Sequence, residues 1–256
     1  MSVFLSVGFW TLVRREITRF LSVFNQTLLP PIVSSFLYIF IFGFSIGSHL
    51  GEIHGFSYLH YLFPGLMMMY VIEGSYVNTS SSLFISRWAN YIEELLVTPL
   101  SYMEMVMAML LGGLVRSSLI ALGVWGVSLL FVQALPAHPF TALFFLVFVS
   151  LIFSSLGMIV ALFAEEFEHL SIASIFVITP LIFLGGVFNS VAMMPPAFKW
   201  IAFFNPIFYM INGLRYGMLG VSDASIGLSI AVVLILFIAL FAVTVHLFRI
   251  GFKLRK

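Results

Sequence analysis

The chain has 256 residues, 62% hydrophobic and only 8% charged, whereas soluble domains carry about a quarter charged residues, so water cannot be the solvent for most of its surface. A net charge of +1 offers no field for a nucleic-acid partner, and the absence of cysteine excludes disulfides and thiolate metal sites. In lipid only helices and closed barrels satisfy their backbone polar groups; the apolar runs here are long and do not alternate, which selects an all-α membrane protein.

Residues 1–25 come first. Their charges, Arg14, Arg15, Glu16 and Arg19, sit mid-segment and no small-residue cleavage site follows, unlike a signal peptide. Trp10, Val13, Ile17, Phe20, Leu21 and Phe24 recur at helical steps while Arg14, Arg15 and Thr18 take the other face, which predicts an interfacial helix on the membrane surface. Runs of about 20 apolar residues then predict six spans: Leu28–Ile46, His60–Ser82, Tyr102–Val132, Phe140–Ala164, Leu170–Phe188 and Ile226–Phe248. The first opens at Pro30-Pro31, where missing amide donors cost little. No linker or repeat divides the chain, so residues 1–256 form one domain.

Between the first two spans, Gly43, Gly47, Gly51 and Gly55 repeat every fourth residue; this spacing permits close helix approach, but only the first two fall in the span and the others read as loop flexibility. His49, His54, His60 and Glu52 share that loop without tight ligand spacing, so solvated histidines are favoured over a metal site. Within the second span lies Glu73, whose insertion costs at least ~2.5 kcal/mol. At helical rise Glu73 is roughly 14 Å deep and Arg116 of the third span roughly 21 Å, which allows a structural ion pair. The alternative is a polar pathway in which Glu73, with Tyr70, Tyr76 and Ser80, contacts substrate.

After the second span comes SRWANYIEELLVTPLS. Trp88, Tyr91, Ile92, Leu95 and Leu96 form one apolar stripe and Asn90, Glu93, Glu94 and Val97 the other side of a helix over 86–98, capped by Ser86 and stopped by Thr98-Pro99. It reads as a headgroup-resting connector or as a protein-docking element. Two acids favour docking, because anionic lipid attracts cations. Further on, Glu165, Glu166, Glu168 and His169 open the fifth span, where acids suit the helix dipole; a second partner contact is the other reading. Residues 189–222 are apolar, but Pro195-Pro196 and Asn205-Pro206 cut them too short to cross, which predicts two re-entrant helices. With the N-terminus inside, eight basic residues are cytoplasmic and only Lys199 and Arg215 are outside, so both ends are cytoplasmic.

Three stretches, FNQTLLPP, NYIEELLVTPL and PLIFLGGVFNSVAMMPPAFKWIAFFNPIFYMINGLRYGMLG, carry a resemblance over nearly the whole chain to the ABC-2 type permeases, the membrane halves of ABC exporters, and to their small YadH-like members. The resemblance implies a bacterial inner-membrane, multi-pass, six-span subunit that acts as a homodimer among membrane lipid, with re-entrant helices before the sixth span. It makes residues 86–98 the coupling helix that docks into a separate ABC ATPase, present in two copies, through Arg87, Trp88, Tyr91, Ile92, Glu93, Glu94 and Leu95. It also implies an extracellular gate at Phe183, Phe188, Asn189, Asn205, Tyr209 and Arg215, to which the polar-pathway reading of the second span adds Glu73 and Tyr76 as translocation-path residues.

None of the three lysines follows a glycine, so GxxxxGK[ST] is missing, as is HExxH. No catalytic residue, metal or cofactor is expected on this chain; ATP and Mg belong on the partner. The expected function is export of an amphipathic, lipid-linked or drug-like substrate by alternating access. Its rivals are a proton-coupled carrier with Glu73 as relay, against which the missing inverted repeat counts, and a non-transporting scaffold or sensor that recruits an ATPase.

Overall fold

The computed structural model describes residues 7–45 and 52–254; Gly47, His49 and Gly51 of the first loop, and Arg255 and Lys256 of the tail, lie outside the described residues. Helix α1 (Val7–Leu21) leads through the short α2 (Phe24–Thr27) into α3 (Leu29–Ser45). The loop expected to be irregular instead pairs β1 (Glu52–Ile53) with β2 (Phe56–Ser57). Both turn residues, His54 and Gly55, have positive φ, the twist that a two-residue hairpin requires.

The central rod is α4 (Tyr58–Trp88), 31 residues long and therefore about 46 Å. Beyond it come α5 (Tyr91–Leu96), α6 (Tyr102–Ser128) and α7 (Pro139–Phe163). A continuous run is next: α8 (Phe167–Ala173), a π-helical turn (Ser174–Ile178) and α9 (Thr179–Leu184). Then α10 (Pro196–Phe204), α11 (Pro206–Leu219) and α12 (Ile226–Arg249) complete the chain.

Local chemistry sets these boundaries. Ser101 and Glu104 close a reciprocal capping box at the start of α6, meeting two amide donors that no helical carbonyl can reach. Prolines 139, 196 and 206 occupy first-turn positions. The Asn205 side chain accepts from the Ile207 amide at 3.0 Å. The π-turn ends two residues before Pro180, whose ring would clash with the carbonyl four residues back, that of Phe176 within the turn, in a regular helix.

Among the described residues five helices are long and apolar enough to cross a membrane: Phe24–Gly43, Tyr102–Ser128, Pro139–Phe163, Phe167–Leu184 and Ile226–Arg249. The expected second span, α4, is not among them. Its surface is buried in the bundle along most of its length, so it meets protein rather than lipid and carries Ser75, Asn78, Thr79, Ser80 and Ser82 in the interior. Close approach makes this possible. A Cβ on Gly157 of α7 would lie 2.6 Å from the Tyr76 carbonyl, and one on Gly65 would lie 2.5 Å from the Val187 carbonyl. Thr79 donates to the Ser154 carbonyl at 2.8 Å across the same α4–α7 seam.

Two large apolar clusters stack along the bundle. One, with Tyr61, Met68, Phe145 and Ile211, lies toward the hairpin end. The other, with Phe9, Leu12, Leu83, Ile92, Met109, Leu162 and Leu254, gathers α1, α5 and the chain's tail at the opposite end.

The apolar residues expected on one face of α1 divide between the bundle and the outside, Val13 and Phe20 packing inward. Phe9, Leu12, Val13, Glu16 and Phe20 are buried against the bundle, whereas Trp10, Leu21 and Phe24 are exposed. Polar groups on α4 shift the packing face: Arg19 donates to the Asn78 carbonyl and side-chain oxygen at 2.9 and 3.0 Å, Ser82 donates to Glu16 at 2.7 Å, and Arg15 reaches Ser86 at 3.3 Å.

Candidate functional site

Three places bear on function: the short helix at the tail end, the polar middle of α4, and the hairpin end. At the tail end the helix expected over 86–98 is shorter. α4 runs through Trp88, Asn90 adopts the left-handed conformation with φ 59° and reverses the chain, and the helix beyond it is confined to Tyr91–Leu96. Ser86 is no cap, because its hydroxyl donates back to Ser82 within α4 at 2.8 Å. Ile92 is 2% exposed and Leu95 and Leu96 are half-buried against the tail-end core. The opposite edge is open: Trp88, Tyr91 and Val97 are 66%, 52% and 82% exposed, with Glu93 and Glu94 beside them in solvent. The apolar stripe therefore divides into an anchoring part and a free part.

Arg87 does not belong to the free edge. Its Nε donates to the Lys253 carbonyl at 2.6 Å and its Nη1 to the carbonyls of Ala161 and Ala164. It thus ties the end of α4 to the end of α7 and to the tail. Lys253 in turn pairs with Glu165 at 3.6 Å, while Glu166 and His169 form a capping box at the start of α8, local contacts beyond the dipole interaction expected of that acidic turn.

In the middle of α4, Glu73 and Arg116 line one cavity of about 300 Å³ but make no ion pair, which corrects the expected structural bridge. The reason lies in the backbone. Pro31 has no N–H for the carbonyl of Thr27 four residues earlier, and the Arg116 Nη2 donates to that carbonyl at 3.4 Å instead. Tyr76, also expected on a path, is 1% exposed and donates its hydroxyl to the Leu170 carbonyl at 2.9 Å, so it joins α4 to α8.

At the hairpin end Phe188 packs on Tyr38, Phe42 and Phe183, with ring centroids 6.0, 5.2 and 5.3 Å away. Asn189 is exposed. Asn205 donates to the Leu181 carbonyl at 2.6 Å and Tyr209 to the Phe203 carbonyl at 2.9 Å, contacts that fasten α9, α10 and α11 together. Arg215 is 1% exposed and holds the Gly186 carbonyl at 2.8 Å. Its guanidinium lies 3.9 Å over the Tyr61 ring and 3.7 Å from Asp223.

Asp223, which sequence reasoning missed, is the hub there. It accepts from Tyr61 and Ser190 at 2.8 Å each and meets His54 at 3.0 Å. Asn212 accepts from the Asp223 and Ala224 amides at the approach to α12. The available signal was that Asp223 is the only aspartate in the chain. His54 is thus bound to a carboxylate, and among the described residues no group of three or more metal-ligating side chains forms.

Residues 7–219 match the model of the ABC-2 type transporter family. The chain belongs to that family. Among curated relatives of this ABC-2 chain, the inner membrane transport permease YadH of Escherichia coli K12 is 39% identical over 243 residues, 94% of each chain. Nodulation protein J of Rhizobium leguminosarum bv. viciae is 28% identical over 232 residues, 87% of this chain and 86% of the relative. Nodulation protein J of Rhizobium meliloti is likewise 28% identical, over 223 residues, 85% of this chain and 83% of the relative. The ABC-2 chain is accordingly a transport permease subunit, not the ATPase, and sits with multi-pass inner-membrane proteins. ABC-2 membership implies a partner ABC ATPase.

Proposed function

We propose that this permease is the membrane half of an ATP-driven exporter, working as two copies with two copies of a separate ATPase, and that it moves an amphipathic, lipid-linked or drug-like substrate out of the cytoplasm. The observation that carries the reading is the divided surface of α5 and its flanks: Ile92, Leu95 and Leu96 fix it to the bundle while Tyr91, Glu93 and Glu94, with Trp88 and Val97 on either side, stand free. An aromatic and aliphatic edge with two acids suits a protein cleft with basic groups at its rim better than an anionic headgroup layer. On this reading α4 crosses the membrane as a sixth span, α10 and α11 are re-entrant in the outer leaflet, and both termini are cytoplasmic.

Nucleotide closure of the ATPase pair pushes on the free edge of α5. Because α5 is anchored through its other side, the push reaches α4 and the tail-end core together, and the spans reorient between inward-open and outward-open cavities. ATP and Mg are handled by the partner.

The test is Tyr91→Asp in permease co-purified with its cognate ATPase. Tyr91 is half free of protein contact, so insertion should be retained while permease-stimulated ATP turnover falls to the level of the ATPase alone. Unchanged stimulation would remove the coupling role of this edge. In reconstituted vesicles ATP-dependent flux supports the exporter, gradient-driven flux a secondary carrier, and binding without flux a scaffold.

A further inference from the structure

The cavity shared by Glu73 and Arg116 is walled by Gln26 and Thr27 of α2, Pro30 and Ser34 of α3, and the middle of α4. It holds an acid and a base that do not touch. Arg116 is 7% exposed, and its Nε is buried without a partner. Among the described residues no hydrogen bond or ion pair reaches the Glu73 carboxylate. Collapse of the two onto each other is opposed by the Thr27 carbonyl, which Pro31 leaves without a helical donor and Arg116 occupies. The separation is therefore set by the backbone of the neighbouring helix.

Single-sign ligands fit this arrangement poorly. An anion at Arg116 faces the Glu73 charge, a cation at Glu73 faces Arg116, and a neutral apolar molecule leaves both desolvated without compensation. A ligand carrying both signs satisfies both. Val77 on the cavity wall is 40% exposed, and Leu29 and Val33, next in the chain to the lining residues Pro30 and Ser34, give α3 exposed apolar surface. We infer that this cavity binds the headgroup of a zwitterionic amphiphile, its phosphate or carboxylate on Arg116, its ammonium on Glu73 and its tail along α3. The same chemistry describes a resident phospholipid and an exported cargo; only the cargo case rests on the exporter reading.

The experiment places the purified permease in nanodiscs holding equal phosphatidylethanolamine and phosphatidylglycerol with identical acyl chains, and counts retained lipids by native mass spectrometry. The wild type should retain the ethanolamine lipid roughly tenfold over the glycerol lipid, the worth of one charge-assisted hydrogen bond. Glu73→Gln should bring that ratio to about one. Val77→Trp, at an exposed position on the cavity wall, should lower retention of both while the protein still elutes as a single species.

Equal retention by the wild type, or a wild-type ratio in Glu73→Gln, would overturn the assignment. A second arm adds the cognate ATPase and labelled phosphatidylethanolamine in vesicles. ATP-dependent transfer identifies the ligand as cargo and retention without transfer as resident lipid, and both uphold the site. Because the first arm needs no ATPase, failure of the exporter reading leaves its result intact.

Discussion

Arg215 and Asp223 are both buried, so neither charge is tolerable there without the other. Asp223→Ala should strand the guanidinium and cost about 3–5 kcal/mol, the usual penalty for breaking a buried pair, read as a lower midpoint in tryptophan-monitored thermal unfolding. Burial alone pushes the Asp223 carboxyl up, but the bonds from Ser190, Tyr61 and His54 and the charge of Arg215 outweigh it and hold the group below the ordinary carboxylate range. A depressed folded value gives stability that is complete above the unfolded pKa of about 3.9 and is lost as pH falls through the lower folded value. Between neutrality and about pH 4 the network should therefore hold, and the acid limb of the stability profile should flatten in Asp223→Asn. A flat acid limb already in the wild type would contradict this. Little of the cluster was legible beforehand, because Arg215 could be named from its motif but its partners at 54, 61, 190 and 223 are brought together by the fold.

Helix α1 shows how far periodicity reads an element. The helical repeat is visible in the sequence, but the face that packs on the bundle is not, since Trp10, Leu21 and Phe24 are as apolar as Phe9 and Leu12 and nothing in the segment records that Asn78, Ser82 and Ser86 wait on α4. Arg19→Ala should cut both bonds to Asn78 and leave buried Glu16 without its neighbouring cation at 3.6 Å. Trypsin should then cleave at Arg14 and Arg15 faster while the spans stay protected. A wild-type cleavage rate would mean that the apolar residues of α1 hold it alone. The reverse case is α4: the apolar run over His60–Ser82 read as a span, yet α4 is not among the five helices apolar enough to cross, because much of its buried surface is polar and meets protein. Its polar interior became interpretable only once Ser154, Glu16 and Arg19 were seen facing it.

For the whole molecule, lipid solvation made the helical class and most spans readable, while orientation rests on the distribution of basic residues. The cysteine-free chain allows a clean test of the proposed topology. Asn189→Cys should react with an impermeant maleimide on intact cells and Glu93→Cys only after permeabilisation; labelling of both from one side would refute it. Both residues are exposed, so accessibility within the protein does not confound the result. Between these two faces runs α4, gripped near its first turn by Arg215 over Tyr61 and near its last by Arg87 on three carbonyls. The grips are about 39 Å apart at helical rise. On the proposed topology a strut held at both ends in this way, with Pro64 its one internal break in hydrogen bonding, would deliver thrust entering at one face to the other as tilt or axial travel.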